Sequence, residues 1–188
     1  MDMLNRWAGY LAIAGGALTA IVIGVVVYDP NTGAWTAFFL VVALLGAAVF
    51  GFERRTRTAT GQLGRAAAWL STIGAVAILA VFAYAAATNK VNFDATATSD
   101  PLTPFWIVTA IAWFLGNIGF AVAIIRAGAL SVIGGWLVLA GAVAGLVASA
   151  LPPDNLPSAV MALFGLFGIG WVVVGYAGIR SSTRQLAT

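Results

Sequence analysis

The sequence contains no cysteine and no histidine. Without thiolate or imidazole there is no ligand set for zinc, copper or an iron–sulfur cluster and no His ligation of haem. Histidine-based acid–base chemistry is excluded as well. No metal site and no cofactor are expected. Charge is almost as scarce: Asp, Glu, Lys and Arg together make up 8% of the residues, and lysine occurs once, as Lys90. So little charge excludes a nucleic-acid-binding module. The glycine-rich strings lack a following Lys-Ser or Lys-Thr and lie within apolar runs, which excludes a phosphate-cradling loop.

What the chain has instead is apolar length. Of its 188 residues 62% are hydrophobic and 22 are glycine, and the mean hydropathy is +1.01. A helix that crosses a bilayer needs roughly 20 consecutive apolar residues. Six such runs occur, at residues 7–28, 34–52, 66–87, 105–125, 129–151 and 158–179. The segments between them are polar or turn-like: 29–33, the charged run 53–65, 88–103, a tight turn at Arg126-Ala127-Gly128, and 152–157. The expected fold is all-α, a single transmembrane domain of six helices. The first run is too long for a signal-peptide core and no small-x-small site follows Tyr28, so it is expected to be a retained helix.

Orientation follows from the cations. Taking the connecting segments alternately, Arg6, Arg54, Arg55, Arg57, Arg65, Arg126, Arg180 and Arg184 fall on one side and Lys90 alone on the other. The positive-inside rule places both termini in the cytoplasm. Eight arginines to one lysine, with abundant alanine, suggest a GC-rich prokaryote, and the expected location is its cytoplasmic membrane.

Three strings repeat at intervals of 59 and 60 residues: Leu11-Ala12-Ile13-Ala14-Gly15-Gly16, Leu70-Ser71-Thr72-Ile73-Gly74-Ala75 and Leu130-Ser131-Val132-Ile133-Gly134-Gly135. Each follows an arginine by four or five residues. The pattern describes three consecutive helical hairpins, 5–63, 64–125 and 126–188.

Within the first run Ala12, Gly16, Ala20 and Gly24 recur every four residues and form a stripe of small side chains, suited to close packing inside the bundle or against another subunit. Along the fourth run Trp106, Thr109, Trp113, Gly116, Asn117 and Phe120 share a face. Phe164, Phe167, Gly168, Trp171 and Gly175 do so on the sixth. Trp7, Trp35, Trp69 and Trp106 lie where interfacial anchors are expected, whereas Trp113 and Trp171 lie near mid-membrane. Those two indoles either fill space opposite glycines or line a pocket for an apolar small molecule. Asn117 is also near the centre, where an unpaired amide is costly. It either bonds another helix, through Ser71, Thr72 or Thr19, or orients a ligand beside Trp113. Trp113, Asn117, Phe120, Phe167 and Trp171 are therefore the candidate ligand-facing residues. Arg54, Arg55 and Arg57 are candidates for lipid head groups, or serve only as a positive-inside anchor.

Two resemblances bear on the architecture. Arg126-Ala127-Gly128-Ala129-Leu130, Gly135-Trp136-Leu137, Leu151-Pro152, Gly170-Trp171 and Gly175-Tyr176 through Arg180, with Arg6-Trp7-Ala8-Gly9 and Gly15-Gly16 in the first run, resemble a widespread group of bacterial six-helix multi-spanning membrane proteins of unknown function. That resemblance implies a fold and brings no activity, cofactor or functional residue. The hairpin rhythm is also similar to that of the six-helix acid-stress membrane proteins of bacteria.

No Asp, Glu, Lys or Arg interrupts any of the six runs, which counts against ion-coupled transport. No base stands near Ser71, Ser131, Ser149 or Ser158 to activate a nucleophile. The expected role is non-catalytic: a structural or accessory subunit, or a scaffold binding membrane lipids, a membrane-protein partner or a second copy. The alternative is a small permease or carrier for a neutral or amphipathic molecule, using the face of Trp113 and Asn117.

Overall fold

A computed structural model describes residues 2–29, 34–88, 103–150 and 157–185, and their regular structure is entirely helical. The elements are α1 (Asp2–Tyr28), a short 3-10 turn (Ala34–Ala37), α2 (Phe38–Ala87), α3 (Thr103–Ala127), α4 (Val132–Ala150) and α5 (Ser158–Gln185). All five α-helices are long and apolar enough to cross a membrane, with mean hydropathy of 2.0 to 2.3 over their most apolar stretches. Most of the polar segments expected at 29–33, 88–103 and 152–157, with Lys90, lies outside the described residues.

Among the described residues five helices replace the six expected, because the second and third runs form one 50-residue element. The segment 53–65, expected to be a connecting loop, is helical except at Gly61. Glu, Arg, Ala and Gln are adequate helix formers. The threonines, which could have broken the helix, return their hydroxyls to it: Thr56 Oγ1 donates to the Phe52 carbonyl at 2.9 Å and Thr60 Oγ1 to that of Thr56 at 3.0 Å. Gly61 alone departs, at φ 63° and ψ −152°, a region essentially restricted to glycine.

That one residue divides α2 into arms, 38–60 and 62–87, which lie against each other. Phe39 stacks on Phe82 with ring centroids 3.5 Å apart, a Cβ on Gly46 would press on Ala75, and Phe50 meets Trp69 at 6.0 Å. These pairings run in opposite directions along the two arms. The first arm is the centre of the molecule, with Val41, Val42, Leu45, Ala48, Val49 and Phe52 fully buried. It touches α1 where Leu45 fills the space beside Gly15, and α5 where Phe52 fills that beside Gly178.

Glycine sets the other helix contacts. Gly9 and Gly16 of α1 approach the backbone of Gly175 and Gly168 of α5 so closely that a Cβ at any of the four would strike main chain. Gly74 in the second arm of α2 lies against the backbone of Trp113 in α3, and Gly116 in α3 against that of Ser71. Gly141 and Gly170 make the same kind of contact between α4 and α5. With no hydrophobic drive between helices in lipid, such close approach supplies the van der Waals contact that holds a bundle together.

The tight turn expected at 126–128 comes slightly later: α3 continues through Ala127 and the chain turns at Gly128. Ala129 N donates to Ile124 O and Gly128 N to Ile125 O, with Gly128 at φ 59°, the Schellman arrangement that satisfies terminal carbonyls. Ser131 then caps α4, its Oγ accepting from Gly134 N at 3.1 Å.

Candidate functional site

The face of α3 reads as a helix should: Trp113, Asn117, Phe120 and Ile124 are all buried. On α5, Phe164, Phe167, Trp171 and Val174 are the corresponding buried stripe. The two stripes meet. Trp113 packs on Phe167 at 5.5 Å, edge to face, and Phe167 on Trp171 at 6.3 Å. Trp171 lies between Phe120, at 6.3 Å, and Phe52, at 6.4 Å, all three rings nearly parallel. The five candidate ligand-facing residues are thus gathered in one place and have no exposed surface.

Four further aromatics complete the cluster. Phe164 shares the α5 face already visible in the sequence, whereas Phe38 and Phe52 from the first arm of α2 and Phe114 from α3 have no periodic signal that marks them. Phe38 meets Trp113 at 5.7 Å and Phe164 at 5.9 Å, and Phe114 meets Phe164 at 5.7 Å. Phe114 and Phe164 also close the space left by Gly145 on α4. Aromatic pairs of this geometry contribute roughly 0.5–1.5 kcal/mol each beyond burial. The indole rings pack on other aromatics, while Gly74 and Gly16 meet the backbone or Cβ atoms of Trp113 and Trp171.

Polarity within the cluster is sparse and specific. Asn117 Nδ2 donates to Ser71 Oγ at 3.0 Å, across to α2, and to the Trp113 carbonyl at 2.8 Å in its own helix. Ser71 sits where Gly116 lets the two backbones touch, so the short serine reaches the amide. The other two candidate partners are occupied at home: Thr19 donates to Gly15 O and Thr72 to Ala68 O. Among the described residues three buried side-chain polar atoms have no hydrogen-bond partner, namely Asn117 Oδ1, Trp113 Nε1 and Trp171 Nε1.

The arginines separate. Arg54 and Arg57 are exposed, Arg54 with its guanidinium 4.7 Å from the centre of the Phe50 ring. Arg55 turns inward and donates to the Gly178 carbonyl and to Ser181 Oγ, tying the end of the first α2 arm to α5. Glu53, expected in a loop, is 7% exposed and holds Arg57 at 3.7 Å, one turn on.

The small-residue stripe divides as well. Ala12 and Gly16 lie in the α1–α5 seam and Ala20 borders it beside Gly168, but Gly24 is exposed and has open space where a side chain would be. Of the expected anchors, Trp7 and Trp69 are exposed and Trp106 is half-buried against Phe39.

A groove of about 320 Å³ runs between the two arms of α2, open to the side and almost wholly apolar. It does not reach the aromatic cluster. No family model matches the chain, and no curated protein or solved structure is significantly similar to it.

Proposed function

We propose that the chain is a non-catalytic, multi-pass protein of a prokaryotic cytoplasmic membrane that acts through packing, as a scaffold or accessory subunit for lipids or a membrane partner. The observation that carries this reading is the aromatic cluster: the residues best suited to face a ligand are spent on one another, at ring separations of 5.5–6.3 Å.

The same reading takes each arm of α2 as one crossing. An arm of about 23 residues is about 35 Å long at 1.5 Å per residue, enough for a hydrocarbon core of about 30 Å. Six crossings then form three hairpins, α1 with the first arm, the second arm with α3, and α4 with α5. Both termini and the Gly61 bend face the cytoplasm, on the arginine-rich side.

Native mass spectrometry of the protein released from mild detergent tests the role. The reading expects phospholipid or a partner protein as the co-purifying mass, while a stoichiometric non-lipid small molecule would contradict it. One observation favours a carrier instead. The unpartnered Trp113 Nε1, Trp171 Nε1 and Asn117 Oδ1 supply two donors and an acceptor to an uncharged polar molecule. On that reading Asn117→Leu loses the bound molecule and keeps the fold.

A further inference from the structure

We infer that the groove between the arms of α2 holds one anionic phospholipid, an acyl chain lying along the groove and the phosphate held by Arg54 and Arg65. The inference rests on the lipid-binding scaffold reading and gives it a lipid class and a place.

The groove is made by small residues. Gly46 and Ala75 bring the arms together at its floor, and Ala43 and Ala47 are too short to fill the space above. Phe50 and Leu79 contribute to its walls. The one hydroxyl in the lining, on Thr72, is committed to the Ala68 carbonyl at 2.8 Å. The surface therefore offers an occupant apolar contact and no free hydrogen bond, which suits an alkyl chain. From Ala43 to Phe50 the helix rises about 10 Å.

One end of the groove is different. Phe50 there has the Arg54 guanidinium 4.7 Å from its ring centre and meets Trp69 at 6.0 Å, edge to face. Arg65 precedes Trp69 by one helical turn, and the antiparallel pairings of 39 with 82, 46 with 75 and 50 with 69 bring positions 54 and 65 into register. Both arginines are exposed. Arg55 is excluded from this role by its bonds to α5. An apolar channel that ends in an indole and two cations repeats the polarity of a phospholipid from chain through interface to phosphate. A zwitterionic lipid matches the chain but brings no net charge. A second copy docked here about a two-fold axis along the membrane normal would set its own arginines against these, which disfavours that occupant.

The test is a lipid titration followed by native mass spectrometry, with phosphatidylglycerol and phosphatidylcholine of matched chains, on variants that keep the wild-type melting midpoint. Wild type is expected to bind phosphatidylglycerol about tenfold more tightly. Arg54→Gln with Arg65→Gln abolishes that preference, whereas Arg126→Gln with Arg180→Gln, an equal loss of charge elsewhere, leaves it intact. Ala47→Leu fills the groove and weakens both lipids together. If the arginine double variant does not fold, Arg65→Gln alone decides, with about a threefold loss of preference expected. Equal binding of the two lipids by wild type, equal effects of the two charge-loss pairs, or undiminished binding by Ala47→Leu would each overturn the assignment. So would the appearance of a dimer that Ala47→Leu abolishes. The parent reading fails on a different signal, a stoichiometric non-lipid small molecule, so the two failures are distinguishable.

Discussion

At the scale of single residues, the polar contact that links helices beside the aromatic cluster is that of Asn117 with Ser71. Their hydrogen bond joins α3 to α2 at the point where Gly116 and Gly74 let the backbones meet. An interhelical bond of this kind contributes on the order of 1 kcal/mol. Asn117→Leu is therefore expected to lower stability in detergent by about 1 kcal/mol. In a double-mutant cycle with Ser71→Ala, most of that loss should be shared between the two positions. Additive losses would show that the amide works through its own helix, by the bond to the Trp113 carbonyl. Depth and periodicity in the sequence suffice to place Asn117 beside Trp113, and they leave Ser71 as one of three possible partners. Choosing among the three is beyond the pattern, because a threonine that bonds its own helix four residues back, as Thr19 and Thr72 do, is spaced no differently from one that reaches out.

Among the helices, sequence patterns are both strongest and most fallible. Among the described residues each long apolar run falls on a helix, with ends that differ by up to six residues, but the runs leave out the helical residues of the charged segment. The charged segment 53–65 misleads because charge marks exposure to water and says little about backbone conformation. Arginines and threonines here continue the helix to Thr60, and the break is concentrated in Gly61. Gly61→Ala should therefore cost about 1–3 kcal/mol from backbone strain alone, although a side chain there would meet no neighbour. Thermal unfolding in detergent checks this, and an unchanged midpoint would show that the bend tolerates a side chain. The small-residue stripe is legible as a spacing but not as a length. Gly16→Leu would drive its side chain into the Gly168 and Val172 backbone and should cost about 1–3 kcal/mol or more. Gly24→Leu, in open space, should be close to neutral. A reversed order of the two midpoints would remove the α1–α5 seam as a source of stability.

The whole molecule is a bundle whose centre is filled by aromatic rings and whose helices are drawn together by glycine. Among the described residues Arg54, Arg55, Arg57 and Arg65 gather around the bend of α2. The proposed topology requires the two arms of α2 to cross the membrane in opposite directions and the bend to stay in the cytoplasm. Neither requirement could be met if α2 crossed once. The absence of native cysteine makes the decisive measurement direct: single cysteines replacing Thr58 and Asn155 are exposed to a membrane-impermeant thiol reagent in intact cells. Labelling is predicted at position 155, with protection at 58 until the cells are opened. Labelling at 58 in intact cells, with protection at 155, would contradict the orientation, and the same outcome at both positions would contradict the six-crossing bundle.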